Sequence, residues 1–351
     1  MAAMRPMRSL QRATVTLEPL VGGVVPARSG STGRRVRMLQ VALGAIWLLD
    51  GVLQLQPSMF TRGFVSGVLV PSAAGESGFI AGPTLSVAHL IAPHVAIWNG
   101  LFAAVQLAVG LGIIAGAVAR HVSLLRLALA GSIVWSAMVW WLGEGLGGVL
   151  AGASPLSGAP GAVVLYLIAA LLLWPGRGGD VPAPLLGDRF ARGAWLTLWA
   201  ISAFLLLEPP NQSKGAVSSV VATAASGEPG ALHRLLAGLA SSLQGTGPWL
   251  DSLLALVMLA IGVGVALRVA PRLLLAVSLV LSAAIWVFGE AFGGILTGQG
   301  TDPNSGPLWA LLALCMWAGL GTPTPRAEIR DASHALEAPR LTSSTLRRIG
   351  A

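Results

Sequence analysis

Residues 95–118 read VAIWNGLFAAVQLAVGLGIIAGAV, a stretch of 24 residues without a charged side chain. A helix needs about 20 predominantly apolar residues to cross the hydrocarbon core of a bilayer. The whole chain of 351 residues has the same character, with 54% hydrophobic and 10% charged residues, whereas an average soluble domain has about 25% charged residues. This composition indicates an all-α, polytopic membrane protein and argues against a soluble enzyme, a disordered chain or a small disulfide scaffold.

Seven further apolar segments accompany this one, and together they predict a helical bundle with eight transmembrane helices. The eight segments are 38–55, 95–118, 122–142, 161–174, 193–207, 249–267, 273–289 and 307–321. The fourth, fifth and eighth segments are shorter than a full span, so six and seven spans stay open as alternatives. The arginine-rich residues 1–37 contain no apolar core, so we do not expect them to be a secretory signal.

The basic residues predict the orientation. With the N-terminus in the cytoplasm, all of the 22 lysines and arginines except Arg62, Lys214 and Arg234 fall in inner segments. Cytoplasmic loops of membrane proteins carry such an excess. We therefore expect a multi-pass protein of the inner (plasma) membrane, in contact with the lipid bilayer, with both termini cytoplasmic. The net charge of +8 is spread over these short loops, so nucleic acid is not an expected partner.

The chain also contains an internal repeat of one four-span unit. The matched positions, at a shift of 152 and later of 146 residues, include Trp47 and Trp199, the runs 107–112 (LAVGLG) and 259–264 (LAIGVG), and Glu144 and Glu290. Because each copy has an even number of spans, both copies enter the membrane from the same side, which predicts parallel repeats. The predicted parts are a basic N-terminal segment 1–37, a first repeat 38–176, a linker 177–192, a second repeat 193–321 and a C-terminal tail 322–351.

Each repeat resembles the DoxX/DoxD-like integral membrane proteins, a group that includes the small subunit of thiosulfate:quinone oxidoreductase. The resemblance rests on the four-span layout, the long outer segment after the first span, and the pattern VQLAVGLG at 105–112 before a basic loop. It covers roughly 37–176 and 193–321, so the chain is similar to a fused tandem of a unit that is usually single. The resemblance implies a redox-linked, quinone-associated subunit, with a redox partner subunit and quinone as the implied cofactor.

Two matched stripes of polar side chains are candidate site features. Within each stripe the residues are four apart, which places their side chains on one helix face. The stripes are Ser132, Ser136, Trp140 and Glu144, and Ser278, Ser282, Trp286 and Glu290. Two symmetric acids at the outer ends could bind a cation, relay protons or face a quinone headgroup. Alternatively, each acid lies in interfacial water and accepts hydrogen bonds from the glycine-rich turn that follows it.

A second polar row occurs in the first repeat. It consists of Asp50 and Gln54 on the first span and Asn99 and Gln106 on the second, matched in the second repeat by Ser202, Leu206, Asp251 and Met258. A carboxylate at the depth of Asp50 costs about 2.5–3.5 kcal/mol unless it finds partners. We therefore expect Asp50 to face the bundle and to meet Asn99 or Gln106. The row is either a structural polar clamp or a protonatable, substrate-binding site.

The sequence contains no self-contained catalytic constellation, and we predict no metal site. Three functions stay open: a membrane subunit of an oxidoreductase, a carrier or permease for a small solute, and a non-catalytic envelope scaffold. The sequence leaves the oligomeric state open as well.

Overall fold

The computed structural model describes residues 28–176 and 187–320, and these residues form an all-α fold. The helices are α1 (Arg28–Leu53), α2 (Arg62–Phe64), α3 (Gly78–Ile91), α4 (Val95–Val118), α5 (Val122–Leu142), α6 (Ala162–Leu172), α7 (Gly187–Leu207), α8 (Ala216–Ala225), α9 (Gly230–Ser242), α10 (Gly247–Ala266), α11 (Pro271–Ala284) and α12 (Ser305–Gly319). The predicted N-terminal segment, linker and tail lie wholly or largely outside the described residues.

Six helical stretches of the described chain are long and apolar enough to cross a membrane. They are Gly33–Leu53, Gly78–Val118, Val122–Leu142, Gly187–Leu207, Gly247–Ala266 and Pro271–Thr297. A multi-pass helical membrane protein is therefore the class that the fold defines. The predicted fourth and eighth spans form α6 and α12, which extend roughly 16 and 22 Å at 1.5 Å per residue. Both are shorter than the hydrocarbon core of about 30 Å, so the count of eight spans stays a prediction.

Two helical stretches are longer than the apolar segments that predict them. Helix α1 begins at Arg28, before the apolar run that starts at Met38. Helix α3 continues into α4 through the 3₁₀ turn Ala92–His94. Pro93 lies in the first turn of that 3₁₀ segment, where the missing N–H of proline is tolerated. Residues 56–94, between the first two spans, thus hold short helices, and the last of these is continuous with the second span.

Close helix pairs occur at matched places in the two halves. Helix α1 packs along α4, and α7 packs along α10, while α6 and α12 pack against each other and join the halves. The α1–α4 contact depends on glycine, because a Cβ on Gly110 would lie 2.8 Å from the backbone oxygen of Gly44 and 2.9 Å from the Leu48 side chain. Small residues at such contacts let helix backbones approach closely.

We expect Gly110→Ala to lower the Tm of the purified protein in mild detergent, because the added methyl group would collide with α1. Overpacking of this kind typically costs about 1–3 kcal/mol. Gly100→Ala, in the same helix, is the matched control, since no atom lies within 4 Å of a Cβ there. Its Tm should be unchanged or higher, because alanine favours helix over glycine by about 1 kcal/mol. Equal losses in both variants would contradict the close α1–α4 contact.

Candidate functional site

A cavity of about 260 Å³ lies in the first half of the chain, between α1, α3, α4, α5 and α6. Its walls are mainly apolar and aromatic. The Phe102 ring lies 5.7 Å from that of Trp135 and 6.4 Å from that of Trp98, measured between centroids. At the rim, Leu90 of α3 and Met138 of α5 are 60% and 40% exposed. An exposed apolar rim on membrane-crossing helices faces lipid, so the cavity is open to a molecule dissolved in the bilayer.

One end of the cavity is polar and acidic; we call it the outer end, after the orientation that the arginines predict. It is formed by Asp50, Gln54, Gln106, Glu144 and, from the second half of the chain, Asp302. The charges of Asp302 and Glu144 both act unfavourably on an ionised Asp50. The residues that line the cavity include no lysine, arginine or histidine. Three neighbouring acids without a cation must bind protons or a ligand that neutralises them.

The buried Asp50 contacts the fourth apolar segment, contrary to the expected contact with Asn99 or Gln106. The Tyr166 hydroxyl of α6 donates a hydrogen bond of 2.5 Å to Asp50 Oδ2. Asn99 instead donates to the backbone oxygen of Gln54, at 2.7 Å. The prediction was wrong because it considered only polar residues of the first two spans, whereas helix packing brings α6 against the same face of α1.

The Tyr166 ring packs on Trp47, which is itself fixed by a hydrogen bond. It lies 4.2 Å from the Trp47 ring between centroids, and Trp47 Nε1 donates to Ser132 Oγ at 2.9 Å. This chain of contacts joins α6, α1 and α5 directly beneath the acidic end of the cavity. It fixes the tyrosine hydroxyl in the position from which it reaches Asp50.

Several buried polar atoms at the cavity have no hydrogen-bond partner in the protein. They are Asp50 Oδ1, Gln54 Oε1, Gln106 Oε1, Glu144 Oε2 and Trp135 Nε1. A buried polar group left unpaired costs about 1–3 kcal/mol. Such a concentration of unpaired atoms around one cavity is typical of a ligand-binding site.

The two matched glutamates have related but unequal surroundings. Glu290 accepts hydrogen bonds from Ser305 Oγ and, at 3.0 Å, from the backbone N–H of Gly306 at the start of α12. The backbone N–H of Val163 at the start of α6 stabilises the Glu144 carboxylate. Each acid thus interacts with the N-terminus of the next helix, rather than with the glycine-rich turn that immediately follows it. Both oxygens of Glu290 are engaged, whereas Glu144 keeps Oε2 unpaired at the cavity.

A left-handed backbone turn follows each glutamate. Residues 145–148 and 291–294 all have positive φ angles. Leu146, Ala291 and Phe292 are not glycines, and an L-residue in this region costs roughly 1–2 kcal/mol. Each turn is accompanied by a tryptophan contact, since Trp140 Nε1 donates to the Pro160 oxygen at 2.8 Å and Trp286 Nε1 donates to the Pro303 oxygen at 2.7 Å. The turns direct the chain back so that each glutamate can meet the following helix.

The other predicted site residues lie away from the cavity. Ser278 and Ser282 donate to backbone oxygens of their own helix, and Ser136 Oγ has no partner in the protein. The serines of both stripes are not among the residues that line the cavity. Asp251 is buried in α10 of the second half, where both of its carboxylate oxygens are unpaired. The stripes therefore contribute mainly Glu144 to the site.

A loop of the second half, residues 298–304, covers the outer end of the cavity; we call it the acidic loop. It is anchored on the first half by Ser58 Oγ, which donates to the Gly298 oxygen at 2.7 Å, and by Gln56 Nε2, which donates to the Gly300 oxygen at 3.1 Å. Asp302 accepts hydrogen bonds from Thr301 Oγ1 at 2.8 Å and from the backbone N–H of Asn304 at 2.7 Å. The two halves thus build one site.

A second, more polar cavity of about 290 Å³, the outer vestibule, adjoins the first. Glu144, Thr301 and Asp302 line both cavities. Burial raises the pKa of Glu144, and the charge of Asp302 raises it further. Burial also raises the pKa of Asp302, although its hydrogen bonds from Thr301 and Asn304 oppose the change. Acids with raised pKa values between a cavity and an opening are suited to passing protons.

Sequence reasoning missed Tyr166, Trp135 and Asp302. Tyr166 did carry a signal, because it is the single tyrosine of the chain and stands inside an apolar segment, where its hydroxyl needs a buried partner. Asp302 carried none, since an acid in a loop is ordinarily solvated. Only the fold brings it to the cavity of the other half.

Comparisons with protein-family models, with curated proteins and with solved structures find no match to this chain. In the part of the chain that the structure describes, no group of three or more His, Cys, Asp or Glu side chains is placed to hold a metal ion. The function is therefore argued from the acidic, aromatic cavity and its polar neighbours.

We expect Tyr166→Phe to lower the free energy of unfolding by about 1–3 kcal/mol, because Asp50 loses its hydrogen-bond donor inside the bundle. In an Asp50→Asn background the same substitution should cost clearly less. Unfolding of the four proteins in mixed detergent micelles gives the coupling energy as a double-mutant cycle. Additive losses would contradict a stabilising Tyr166–Asp50 contact.

We expect the protein to be more stable at pH 4 than at pH 8, in part because of Asp302. Burial raises the pKa of Asp302 in the folded state above its ordinary value of 3.8, so the folded protein binds this proton more tightly than the unfolded chain. Stability from this group is then present at low pH and is lost as pH rises through the folded pKa. The Tm difference between the two pH values should shrink in Asp302→Asn; an unchanged difference would exclude Asp302 as a source.

Proposed function

We propose that this protein is a DoxX/DoxD-like, quinone-associated membrane subunit that binds quinone in the cavity of its first half. The observation that carries the proposal is the cavity itself, which combines an aromatic body, an acidic end and a rim open to lipid. A membrane-soluble ring compound would enter between Leu90 and Met138. Its polar end would then reach Asp50 and Glu144.

The residues at the polar end suit a quinone. Trp135 Nε1 is an unpaired donor, and the rings of Phe102 and Trp98 offer faces for stacking. Quinone, when bound, supplies a carrier of two electrons and two protons. Asp50, Tyr166 and Glu144 would hold and move those protons, and Asp302 would connect them to the outer vestibule. The electrons would pass to or from the redox partner subunit that the resemblance implies.

We further propose eight spans in two parallel repeats, with both termini in the cytoplasm. Matched contacts support the repeat. The pair Trp47–Tyr166, with ring centroids 4.2 Å apart, corresponds to Trp199–Trp309 at 4.6 Å. Each half also has one glutamate that interacts with the start of the following short helix, α6 or α12. Each half has one left-handed turn and one tryptophan–proline contact as well. In this arrangement α6 and α12 complete the two four-helix units.

The two repeats would have different tasks. At the positions of the first-half polar residues Asp50, Gln54, Gln106 and Tyr166, the second half has Ser202, Leu206, Met258 and Trp309. These replacements remove the acid, both amides and the hydroxyl. The first repeat would therefore bind the ligand, and the second would support it and supply the acidic loop.

A carrier or permease for a small solute is the second candidate. The observation that favours it is the contact between the cavity and the outer vestibule, which share Glu144, Thr301 and Asp302. A solute could pass from the lipid-facing rim to the outer face by this route. Proton exchange at Asp50 would then couple to solute movement.

The test of the quinone proposal is an organic extraction of the protein, purified in mild detergent, followed by mass spectrometry. We expect about one quinone per protein chain, and a large loss in Glu144→Gln, because Glu144 lines the cavity and its Oε2 has no hydrogen-bond partner in the protein. Glu290→Gln is the matched control, because the equivalent oxygens are already paired with α12. It should keep its quinone.

Quinone no higher than in an unrelated membrane protein would refute the proposal. Proton-coupled uptake that is lost in Asp50→Asn would then favour the carrier. A protein with neither bound quinone nor proton-coupled uptake would fit the envelope scaffold.

A further inference from the structure

A separate cavity of about 180 Å³ lies between α1, α6, α7, α10 and α12, where the two halves of the chain meet. We call it the inner cavity, after the orientation that the arginines predict. Leu39 in its wall and Asp50 at the acidic cavity are 11 residues apart on α1, roughly 16 Å at 1.5 Å per residue. The two cavities therefore lie towards opposite ends of the bundle, and they share none of their described lining residues.

The body of the inner cavity is apolar. Its buried wall includes Leu172 of α6, Val265 of α10 and Met316 of α12. An apolar cavity of about 150 Å³ can take up a molecule of the size of benzene. The inner cavity therefore has room for a segment of a hydrocarbon chain.

Two arginines and one carboxylate form the mouth of the inner cavity. Asp188 Oδ2 accepts hydrogen bonds from Arg192 Nε at 3.0 Å and from Arg268 Nη2 at 3.1 Å. Arg192 Nη1 also donates to the Ala266 oxygen at 2.8 Å. A guanidinium group has five N–H donors, so these bonds among the described residues use only part of each arginine. Two cations share a single anion here, which leaves the mouth with a net positive charge.

The charged and apolar parts of the inner cavity follow each other along the helices. Arg268 comes directly after α10, and Val265 in the wall is three residues earlier, roughly 4–5 Å deeper. The side chains of Arg268 and Asp188 are 45% and 57% exposed, whereas Val265 is buried. The arginines are thus at the level of a lipid headgroup, and the apolar body lies at the level of the acyl chains.

The corresponding place in the first half has a much smaller cavity. Arg120 follows α4 as Arg268 follows α10, and both arginines have positive φ angles. The cavity beside Arg120 has about 30 Å³, which is close to the volume share of one water molecule in the liquid. The larger cavity at Arg268 therefore belongs to the contact between the halves rather than to the repeated unit.

We propose that the inner cavity binds an anionic phospholipid of the inner leaflet. The phosphate group would lie between Arg192 and Arg268, because guanidinium N–H groups match phosphate oxygens in geometry and charge. One acyl chain would enter the apolar body. Basic pockets between transmembrane helices on the cytoplasmic side commonly bind such headgroups, and exposed ion pairs such as those of Asp188 are weak enough for a phosphate to compete. Since both halves form the cavity, the bound lipid would hold them together at their inner ends.

Three sets of substitutions test the mouth of the cavity. Arg192→Gln/Arg268→Gln removes both of its cations. Arg34→Gln/Arg35→Gln is the matched control, because these two exposed arginines lie near the inner end of α1 and do not line the cavity. Asp188→Asn removes the carboxylate that competes with the phosphate, so it should strengthen lipid binding, a change that loss of structure does not produce.

The experiment is native mass spectrometry of the delipidated full-length protein in mild detergent, titrated with dioleoyl phosphatidylglycerol or dioleoyl phosphatidylcholine. We expect one phosphatidylglycerol per chain, with a Kd at least about tenfold lower than that of phosphatidylcholine, a difference of about 1.4 kcal/mol. The preference should fall to about threefold or less in Arg192→Gln/Arg268→Gln, persist in Arg34→Gln/Arg35→Gln, and rise by about threefold or more in Asp188→Asn. A large excess of glycerol 3-phosphate should not displace the lipid, because it has the phosphate without the chains.

Equal binding of the two lipids would overturn the proposal. An equal loss of preference in Arg34→Gln/Arg35→Gln would also overturn it, because the selectivity would then belong to the general charge of the inner face. Displacement by glycerol 3-phosphate would replace the lipid by a soluble phosphate compound, and a dimer that either lipid dissociates would assign the cavity to contact between copies. If Arg192→Gln/Arg268→Gln does not fold, Asp188→Asn decides, since unchanged or weaker binding there contradicts the proposal.

Discussion

A carboxylic acid placed inside an apolar helical bundle must be neutralised or hydrogen-bonded, and most of this site follows from that requirement at Asp50. The Tyr166 hydroxyl meets one of its oxygens, and this contact ties α1 to α6. The stack of Trp47 on Tyr166 and the bond from Trp47 to Ser132 extend the connection to α5. The other Asp50 oxygen has no hydrogen-bond partner in the protein, although the residue lines the cavity.

The two halves have one framework and different polar contents. In both, a glutamate directly before a left-handed turn meets the start of a short apolar helix. In the second half Ser305 and Gly306 engage both glutamate oxygens, whereas in the first half Glu144 keeps one oxygen free at the cavity. The shared framework thus holds a paired glutamate in one half and a partly unpaired one in the other, and local rules of polar satisfaction are commonly broken at functional sites.

Local patterns identified part of the site. Asp50, Gln54, Gln106 and Glu144 stood out because polar side chains in apolar segments are costly and need a reason, and all four line the cavity. The spacing of four residues also selected Ser136 and Ser282, which lie away from it. A shared helix face does not reveal what that face contacts, so the pattern could not separate the residues at the cavity from those packed between helices.

Hydropathy along the chain determined that this protein is a helical membrane protein. The bilayer core holds no water to hydrogen-bond the backbone, so an apolar segment that crosses it satisfies its own N–H and C=O groups by forming a helix. It could not determine the partner of Asp50, the 41-residue continuity of Gly78–Val118, or the arrival of Asp302 at the cavity of the other half. Those features depend on which helix faces meet and on where the connecting loops pass. Contacts between residues more than a hundred positions apart, such as Tyr166 with Asp50, are decided only when the helices pack.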